Sequence, residues 1–151
     1  MAVFSSTHIV KVDAKGRVCV PASFRAVLSA EAFQGIVAVP SHRLPAIEGV
    51  PSSRMEKISA SLDSFSLFSE DQDDLATAIF GGAMQLPMDE TGRIVLSREL
   101  MAHANISDSA AFMGLGAKFQ IWNPDALRDR IRRARERVHE EKLSLPGVYV
   151  R

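Results

Sequence analysis

Hydrophobic positions along this chain form two runs that follow the same plan. Apolar residues recur near period two from Thr7 to Val12 and again from Ala83 to Met88, which predicts a strand at each place. After a short polar gap come two apolar triplets, Val18-Cys19-Val20 and Ile94-Val95-Leu96, which are rich in β-branched residues and typical of a second short strand. Two stretches of the chain are therefore predicted to fold alike.

Each second strand leads into a predicted helix and then into a hairpin. The helices are expected over 22–32 and 98–104, where Pro21 suits a first helical position and Ser97 suits an N-cap. The predicted hairpins pair 36–39 with 44–47 and 111–115 with 118–122.

Apolar residues at helical spacing close each half, and we expect both stripes to pack against protein. Their members are Met55, Ile58, Leu62 and Phe65 in the first half, and Leu127, Ile131, Ala134 and Val138 in the second. The segment 61–74 is rich in Ser and acidic residues and is predicted to be a helix end and exposed loop before 75–80.

The two halves align with each other around their first two strands. Residues 12–20 match 88–96 at an offset of 76, with Asp, Gly and Arg identical. Two long copies indicate a pseudo-symmetric pair, since a solenoid needs at least three stacked repeats. The predicted organisation is a first unit (7–53), a helical linker (54–82), a second unit (83–126) and a C-terminal helix and tail (127–151).

The identical residues form an Asp-x-x-Gly-Arg turn in each half, Asp13–Arg17 and Asp89–Arg93. Asp hydrogen-bonds the backbone two residues on, and Gly16 and Gly92 supply the positive φ of a tight reversal. Cations beside a glycine suit phosphate contact, and an Arg can also bind guanine in the major groove. A structural hairpin with a solvated Arg is the alternative, and the repetition favours a functional pair.

Composition narrows the function classes. The chain has 151 residues, with 18 Lys and Arg against 18 Asp and Glu, 46% hydrophobic residues and one Cys. These values fit a soluble globular protein of one domain or two small halves, without a membrane span or secretory signal, in the cytoplasm. Because its net charge is zero, the chain lacks the simplest indication of a nucleic-acid partner, an overall excess of basic residues. Whether it can bind nucleic acid must therefore be judged from the local distribution of charge.

The paired blocks DAKGRVCVPASFR and DETGRIVL, with the closing FQIW, resemble the MraZ family of bacterial regulators, each built from two SpoVT-AbrB-type units. The resemblance implies an α+β, mainly β fold: a pseudo-twofold duplicated SpoVT-AbrB-like β-barrel of the swapped-hairpin or double-psi type, with peripheral and C-terminal helices. It also implies a nucleoid-associated, ring-shaped homo-oligomer that binds short direct repeats in double-stranded DNA. The expected role is a transcriptional regulator, as a repressor, of the division and cell wall gene cluster.

The resemblance places DNA contact on Lys15, Arg17 and Arg93. Thr91 stands where the first copy has Lys15, and Met101 stands where it has Arg25, so the first turn is expected to dominate. Arg25 and Thr91 are secondary candidates; an ion pair of Arg25 with Asp13 or an acid of the other half competes with phosphate contact.

Six arginines between Arg128 and Arg137 allow two interpretations. They could contact DNA directly, or they could form a solvated or inter-subunit helix. The second is favoured, because Asp129 with Arg133, Arg132 with Glu136, and Arg137 with Glu141 stand four residues apart.

No residues form a recognisable catalytic or metal site, so the chain is expected to be neither an enzyme nor dependent on a cofactor, metal or small-molecule substrate. Its four histidines are scattered and lack ligand spacing: His8, His42, His103 and His139. Cys19 is predicted to be a small buried thiol, and the acidic run 70–74 a solvated loop. The alternative function is a protein-interaction or assembly module that acts through its helices without DNA.

Overall fold

A computed structural model describes residues 2–66 and 68–146, and these form eight strands and five helices. The strands are β1 (Thr7–Lys11), β2 (Arg17–Cys19), β3 (Gly35–Pro40), β4 (Ala46–Val50), β5 (Met84–Pro87), β6 (Arg93–Val95), β7 (Ser109–Gly114) and β8 (Phe119–Trp122). The helices are α1 (Ala22–Leu28), α2 (Ser52–Leu62), α3 (Glu70–Phe80), α4 (Arg98–His103) and α5 (Pro124–Glu140).

The strands pair between the two predicted halves rather than within each half alone. Six of them form an antiparallel sheet in the order β1-β7-β8-β4-β3-β5, while β2 and β6 form a separate two-stranded ribbon. Exchanging the halves leaves this scheme unchanged: β1 pairs with β7 as β5 pairs with β3, and β2 and β4 pair with their own counterparts. The fold is α+β with mostly antiparallel strands, as expected.

The expected closed barrel is not seen in the strand ladders of the described residues. β1 and β5 lie at the two outer edges of the six-stranded sheet, and the β2–β6 ribbon pairs with neither edge. The SpoVT-AbrB type and the predicted domain boundaries therefore stay predictions at this point.

The hydrophobic core lies between the large sheet and the layer formed by the ribbon, α1 and α4. An aromatic cluster of Phe4, Phe24, Phe112 and Phe119 occupies its centre, with ring centroids 5.0–6.1 Å apart in the contacting pairs. Each buried Phe contributes roughly 1.5–3 kcal/mol relative to exposure. This packing holds the ribbon against the rest of the molecule.

Both predicted helix starts are close to the observed ones, but α1 ends early. Ser97 caps α4 by accepting a hydrogen bond from the N–H of Leu100, which confirms that prediction, whereas Pro21 stands one position earlier than expected, at the N-cap of α1. α1 ends at Leu28 rather than at residue 32. The side chain of Gln34 donates to the carbonyl of Glu31 at 2.6 Å, so this segment folds back as a loop.

The loop predicted over 61–74 is wrong for its acidic part. Residues 70–74 begin α3, where the Ser69 side chain accepts a 3.1 Å hydrogen bond from the N–H of Gln72. Acidic residues in a first turn favour a helix because they interact with the positive end of its dipole. Phe65 lies beyond the end of α2 and is exposed, so the first apolar stripe is shorter than expected.

The second apolar stripe packs against protein along only part of α5. Leu127 is 2% exposed, Ile131 and Ala134 are half-buried, and Val138 is 49% exposed. The predicted tail continues into residues 147–151, which lie outside the described residues. Within the described residues, no helix combines the length and apolar character of a membrane span.

Candidate nucleic-acid interface

The two Asp-x-x-Gly-Arg segments form matching turns that flank the β2–β6 ribbon. We call Asp13–Arg17 turn 1 and Asp89–Arg93 turn 2. Each runs from a strand of the large sheet into a strand of the ribbon, and Gly16 and Gly92 have φ of +81° and +83°. The positive φ predicted for both glycines is confirmed.

An aspartate organises turn 1. One carboxylate oxygen of Asp13 accepts hydrogen bonds of 2.9 Å from the backbone N–H groups of Lys15 and Arg17. The other oxygen accepts the side-chain Nε–H of Arg17 at 2.6 Å. These hydrogen bonds, led by the backbone N–H of Arg17, hold the pKa of Asp13 below its ordinary value of 3.8, against the opposing effect of burial. The predicted bond two residues on is confirmed.

Turn 2 repeats this arrangement and adds one contact. Asp89 accepts 2.9 Å hydrogen bonds from the N–H groups of Thr91 and Arg93 and from Nε of Arg93. The hydroxyl of Thr91 also donates to Asp89 at 2.8 Å. The backbone N–H of Arg93, together with the Thr91 hydroxyl and the Arg93 side chain, holds the pKa of Asp89 well below its ordinary value. Thr91 therefore stabilises turn 2 through a side-chain hydrogen bond as well as through its backbone N–H.

Each turn is completed by the opposite half of the chain. The carbonyl of Gly16 accepts a 2.8 Å hydrogen bond from the N–H of Leu96, and the carbonyl of Gly92 accepts one of 2.9 Å from the N–H of Val20. A β-carbon on Gly16 would lie 2.7 Å from the Leu96 oxygen. This close approach gives Gly16 a second requirement besides its φ.

The ribbon presents the two arginines on one outward face. Val18 pairs with Ile94, and both are buried, so the alternation of the strands turns Arg17 and Arg93 outward. Their side chains are 33% and 38% exposed. Among the described residues, the terminal nitrogens of both guanidinium groups have no hydrogen-bond partner. They can donate to a ligand while Nε remains bound to its aspartate.

The remaining predicted cation of the turns behaves differently from the arginines. Lys15 is exposed and contributes only its backbone N–H to turn 1 among the described contacts, so its ammonium group is available to a ligand.

Arg25 does not make the predicted ion pair with Asp13 or with an acid of the other half among the described residues. Its Nη1 donates to the carbonyl of Val20 and lies 3.5 Å from Sγ of Cys19. A β-carbon on Gly92 would lie 2.8 Å from the Nε of Arg25, so the side chain covers turn 2. The short helix α1 directs this residue across to the other half rather than back toward Asp13.

The arginine-rich helix α5 neutralises much of its own charge. All three predicted ion pairs are confirmed: Asp129 with Arg133, Arg132 with Glu136, and Arg137 with Glu141, at 2.7–3.2 Å. Arg132 also pairs with Asp129, whose pKa it lowers, and Arg128 pairs with Asp125. Arg130 and Arg135 are exposed and have no ion pair among the described residues.

Cys19 is exposed, so the prediction of a buried thiol is wrong. It lies between the buried Val18 and Val20, and the alternation of β2 turns it to the same face as Arg17. No group of three potential metal ligands occurs among residues 2–66 and 68–146.

The sequence alone does not predict that each half contributes residues to the turn of the other half. The position of Arg25 over turn 2 follows from the pairing of β2 with β6, which no local pattern specifies. The one available indication was the mismatch between Arg25 and its equivalent Met101, which shows that the two copies differ in charge outside their turns.

Known proteins resemble this chain over nearly its whole length. The family described as "MraZ protein, putative antitoxin-like" matches residues 3–77 and 79–144. Proteins named transcriptional regulator MraZ from Gluconacetobacter diazotrophicus and Rickettsia bellii are each 44% identical, over 97% and 96% of this chain and 94% and 97% of their own lengths. One of the same name from Rickettsia rickettsii is 42% identical over 99% of this chain and 100% of its own length. The chain therefore belongs to the MraZ family.

Proposed function

We propose that this chain is a sequence-specific DNA-binding transcriptional regulator whose contact surface is the outward face of the β2–β6 ribbon with its two turns. The observation that carries the proposal is the matched presentation of Arg17 and Arg93, each held by an aspartate and each with its terminal nitrogens accessible. The names of the relatives support the same function.

The shape of the ribbon suits duplex DNA. A B-DNA major groove about 12 Å wide admits a two-stranded β-ribbon, and an arginine there can donate to both O6 and N7 of guanine. The bond from Nε to Asp13 or Asp89 fixes the direction of each guanidinium before binding, so less side-chain entropy is lost in the complex. Lys15 contributes a phosphate contact, and Thr91 and Arg25 are secondary candidates.

Charge neutrality makes assembly part of the mechanism. One chain with equal numbers of acidic and basic residues presents few cations to DNA, and linking several such surfaces raises the effective concentration of each. We infer a ring-shaped homo-oligomer that engages short direct repeats and is associated with the nucleoid. Its target is the division and cell wall gene cluster, on which it acts as a repressor.

We also infer that the two halves are SpoVT-AbrB-like units, 7–53 and 83–126, which share one antiparallel sheet. The support is the pairing scheme, which is unchanged when the halves are exchanged. The helical linker 54–82 and the C-terminal region 127–151 lie outside these units.

A footprint of the purified chain on the duplex immediately upstream of its own gene tests the function. The expected result is protection of several short repeats at even spacing, because the subunits of a ring engage one repeat each. A shuffled duplex serves as the control. If the upstream duplex is protected no better than the shuffled one at the same protein concentrations, the proposal is contradicted. That result would favour an assembly module that acts through its helices.

A further inference from the structure

Arg25 belongs to the first half of the chain, but its guanidinium lies at turn 2. Its Nη1 is held by the Val20 carbonyl and by Sγ of Cys19, and this sulfur lies 3.9 Å from the carbonyl of Thr91. The Cδ and Nε atoms of Arg25 fill the space that a β-carbon on Gly92 would need. The absence of a side chain at Gly92 thus makes room for a cation from the opposite half.

The equivalent residue of the second half makes the reciprocal contact. Met101, on α4, has its Sδ 3.7 Å from the position that a β-carbon on Gly16 would take. Each turn is therefore covered by a helix residue of the other half, a cation at turn 2 and an uncharged thioether at turn 1. Each half therefore contributes one helix side chain and one backbone hydrogen bond to the turn of the other half.

The exchange alters the balance of charge at the two turns. Turn 1 has Lys15 in addition to the paired Asp13 and Arg17, whereas turn 2 has Glu90 and the uncharged Thr91 in addition to its own pair. Taken alone, turn 2 would carry a net negative charge and would repel a phosphate. Arg25 makes no ion pair with Glu90 among the described residues, but its position over Gly92 adds one positive charge and brings the net charge at turn 2 to zero.

We propose that Arg25 is the second DNA-binding cation of turn 2 and has there the role that Lys15 has in turn 1. This inference rests on the proposed DNA-binding function. Among the described residues, Nε and Nη2 of Arg25 have no hydrogen-bond partner, so both can donate to phosphate oxygens while Nη1 stays anchored. Turn 2 with Arg25 then carries no net charge instead of a negative one, so it contributes to binding beside the more basic turn 1.

The test compares Arg25→Met, which copies the natural Met101, with Arg25→Met/Thr91→Lys, which restores a cation at the position equivalent to Lys15. Affinity is measured by fluorescence anisotropy with the duplex from upstream of the chain's own gene, over a series of salt concentrations. Arg25→Met is expected to weaken binding about tenfold, since a hydrogen bond to a charged group is lost. The slope of log affinity against log salt should fall by roughly 0.9 per subunit engaged.

The double variant separates a DNA contact from a structural role. Thr91→Lys restores the positive charge at turn 2 but not the hydrogen bond to the Val20 carbonyl. Because the proposed role of Arg25 depends on its charge, we expect both the affinity and the salt slope to recover in the double variant. If Arg25→Met lowers the folded fraction, Arg25→Gln replaces it, because glutamine keeps a donor without the charge. Weakened binding without recovery would overturn the proposal.

Two further outcomes distinguish this inference from the function on which it rests. If the unaltered chain binds the duplex and Arg25→Met binds it with the same affinity and salt slope, the role of Arg25 is overturned and the proposed function stands. If the unaltered chain does not bind the duplex at all, both are overturned.

Discussion

The carbonyl oxygen of Gly16 accepts a 2.8 Å hydrogen bond from the backbone N–H of Leu96, which belongs to the other half of the chain. Gly92 and Val20 form the equivalent bond at 2.9 Å. Each turn therefore combines its local hydrogen bonds with one to the opposite half, and so it also depends on the pairing of β2 with β6. This coupling makes the conformation of the turns a property of the whole fold.

Gly16→Ala is expected to destabilise the chain more than Gly92→Ala. Both place an L-residue at positive φ, which costs roughly 1–2 kcal/mol. At Gly16 the β-carbon would also meet the backbone oxygen of Leu96 at 2.7 Å, whereas at Gly92 it would meet the displaceable side chain of Arg25. Urea unfolding of both variants measures the difference. Equal losses of stability would show that the backbone contact at Gly16 is unimportant.

The two turn aspartates should make stability depend on pH in the acid range. Folding lowers the pKa of Asp13 and Asp89 from 3.8, so their contribution is complete above that value and is lost as pH falls through the lower folded pKa values. The melting temperature of the unaltered chain should therefore fall toward that of Asp13→Asn/Asp89→Asn below about pH 4. A difference between the two proteins that stays constant down to pH 2 would contradict this assignment.

The helix α5 should contribute little to DNA affinity. Its four arginines with acidic partners are largely neutralised within the helix, so Arg130 and Arg135 are the informative pair. We expect Arg130→Ala/Arg135→Ala to retain the affinity and salt slope of the unaltered chain in an anisotropy titration. A clear drop in both quantities would place α5 in the DNA interface.

Local chemistry in the sequence was sufficient to predict the turns and the strands around them. The spacing of Asp13, Gly16 and Arg17 specifies a turn through contacts within five residues, and repetition at 89–93 marks it as important. The ion pairs along α5 are equally local, since i and i+4 side chains are neighbours on any helix.

Features that depend on long-range pairing could not be predicted in the same way. The exposure of Cys19 follows from the register of β2 against β6, and the position of Arg25 follows from the packing of α1 across the ribbon. The acidic run 70–74 is compatible with a loop or with the first turn of a helix, because polar residues are common in both, and its sequence alone does not distinguish the two. In the structure, Ser69 caps this segment, which forms the first turn of α3.

The most direct test of the central claim is the affinity of Arg17→Ala/Arg93→Ala for the duplex upstream of the chain's own gene. Arg130→Ala/Arg135→Ala is the matched control, because it removes the same charge elsewhere on the surface. We expect the affinity of the turn variant to fall by at least about a hundredfold, with unchanged oligomer size and a retained fold, and that of the control to be unchanged. Equal affinity of the turn variant and the unaltered chain would contradict the central claim.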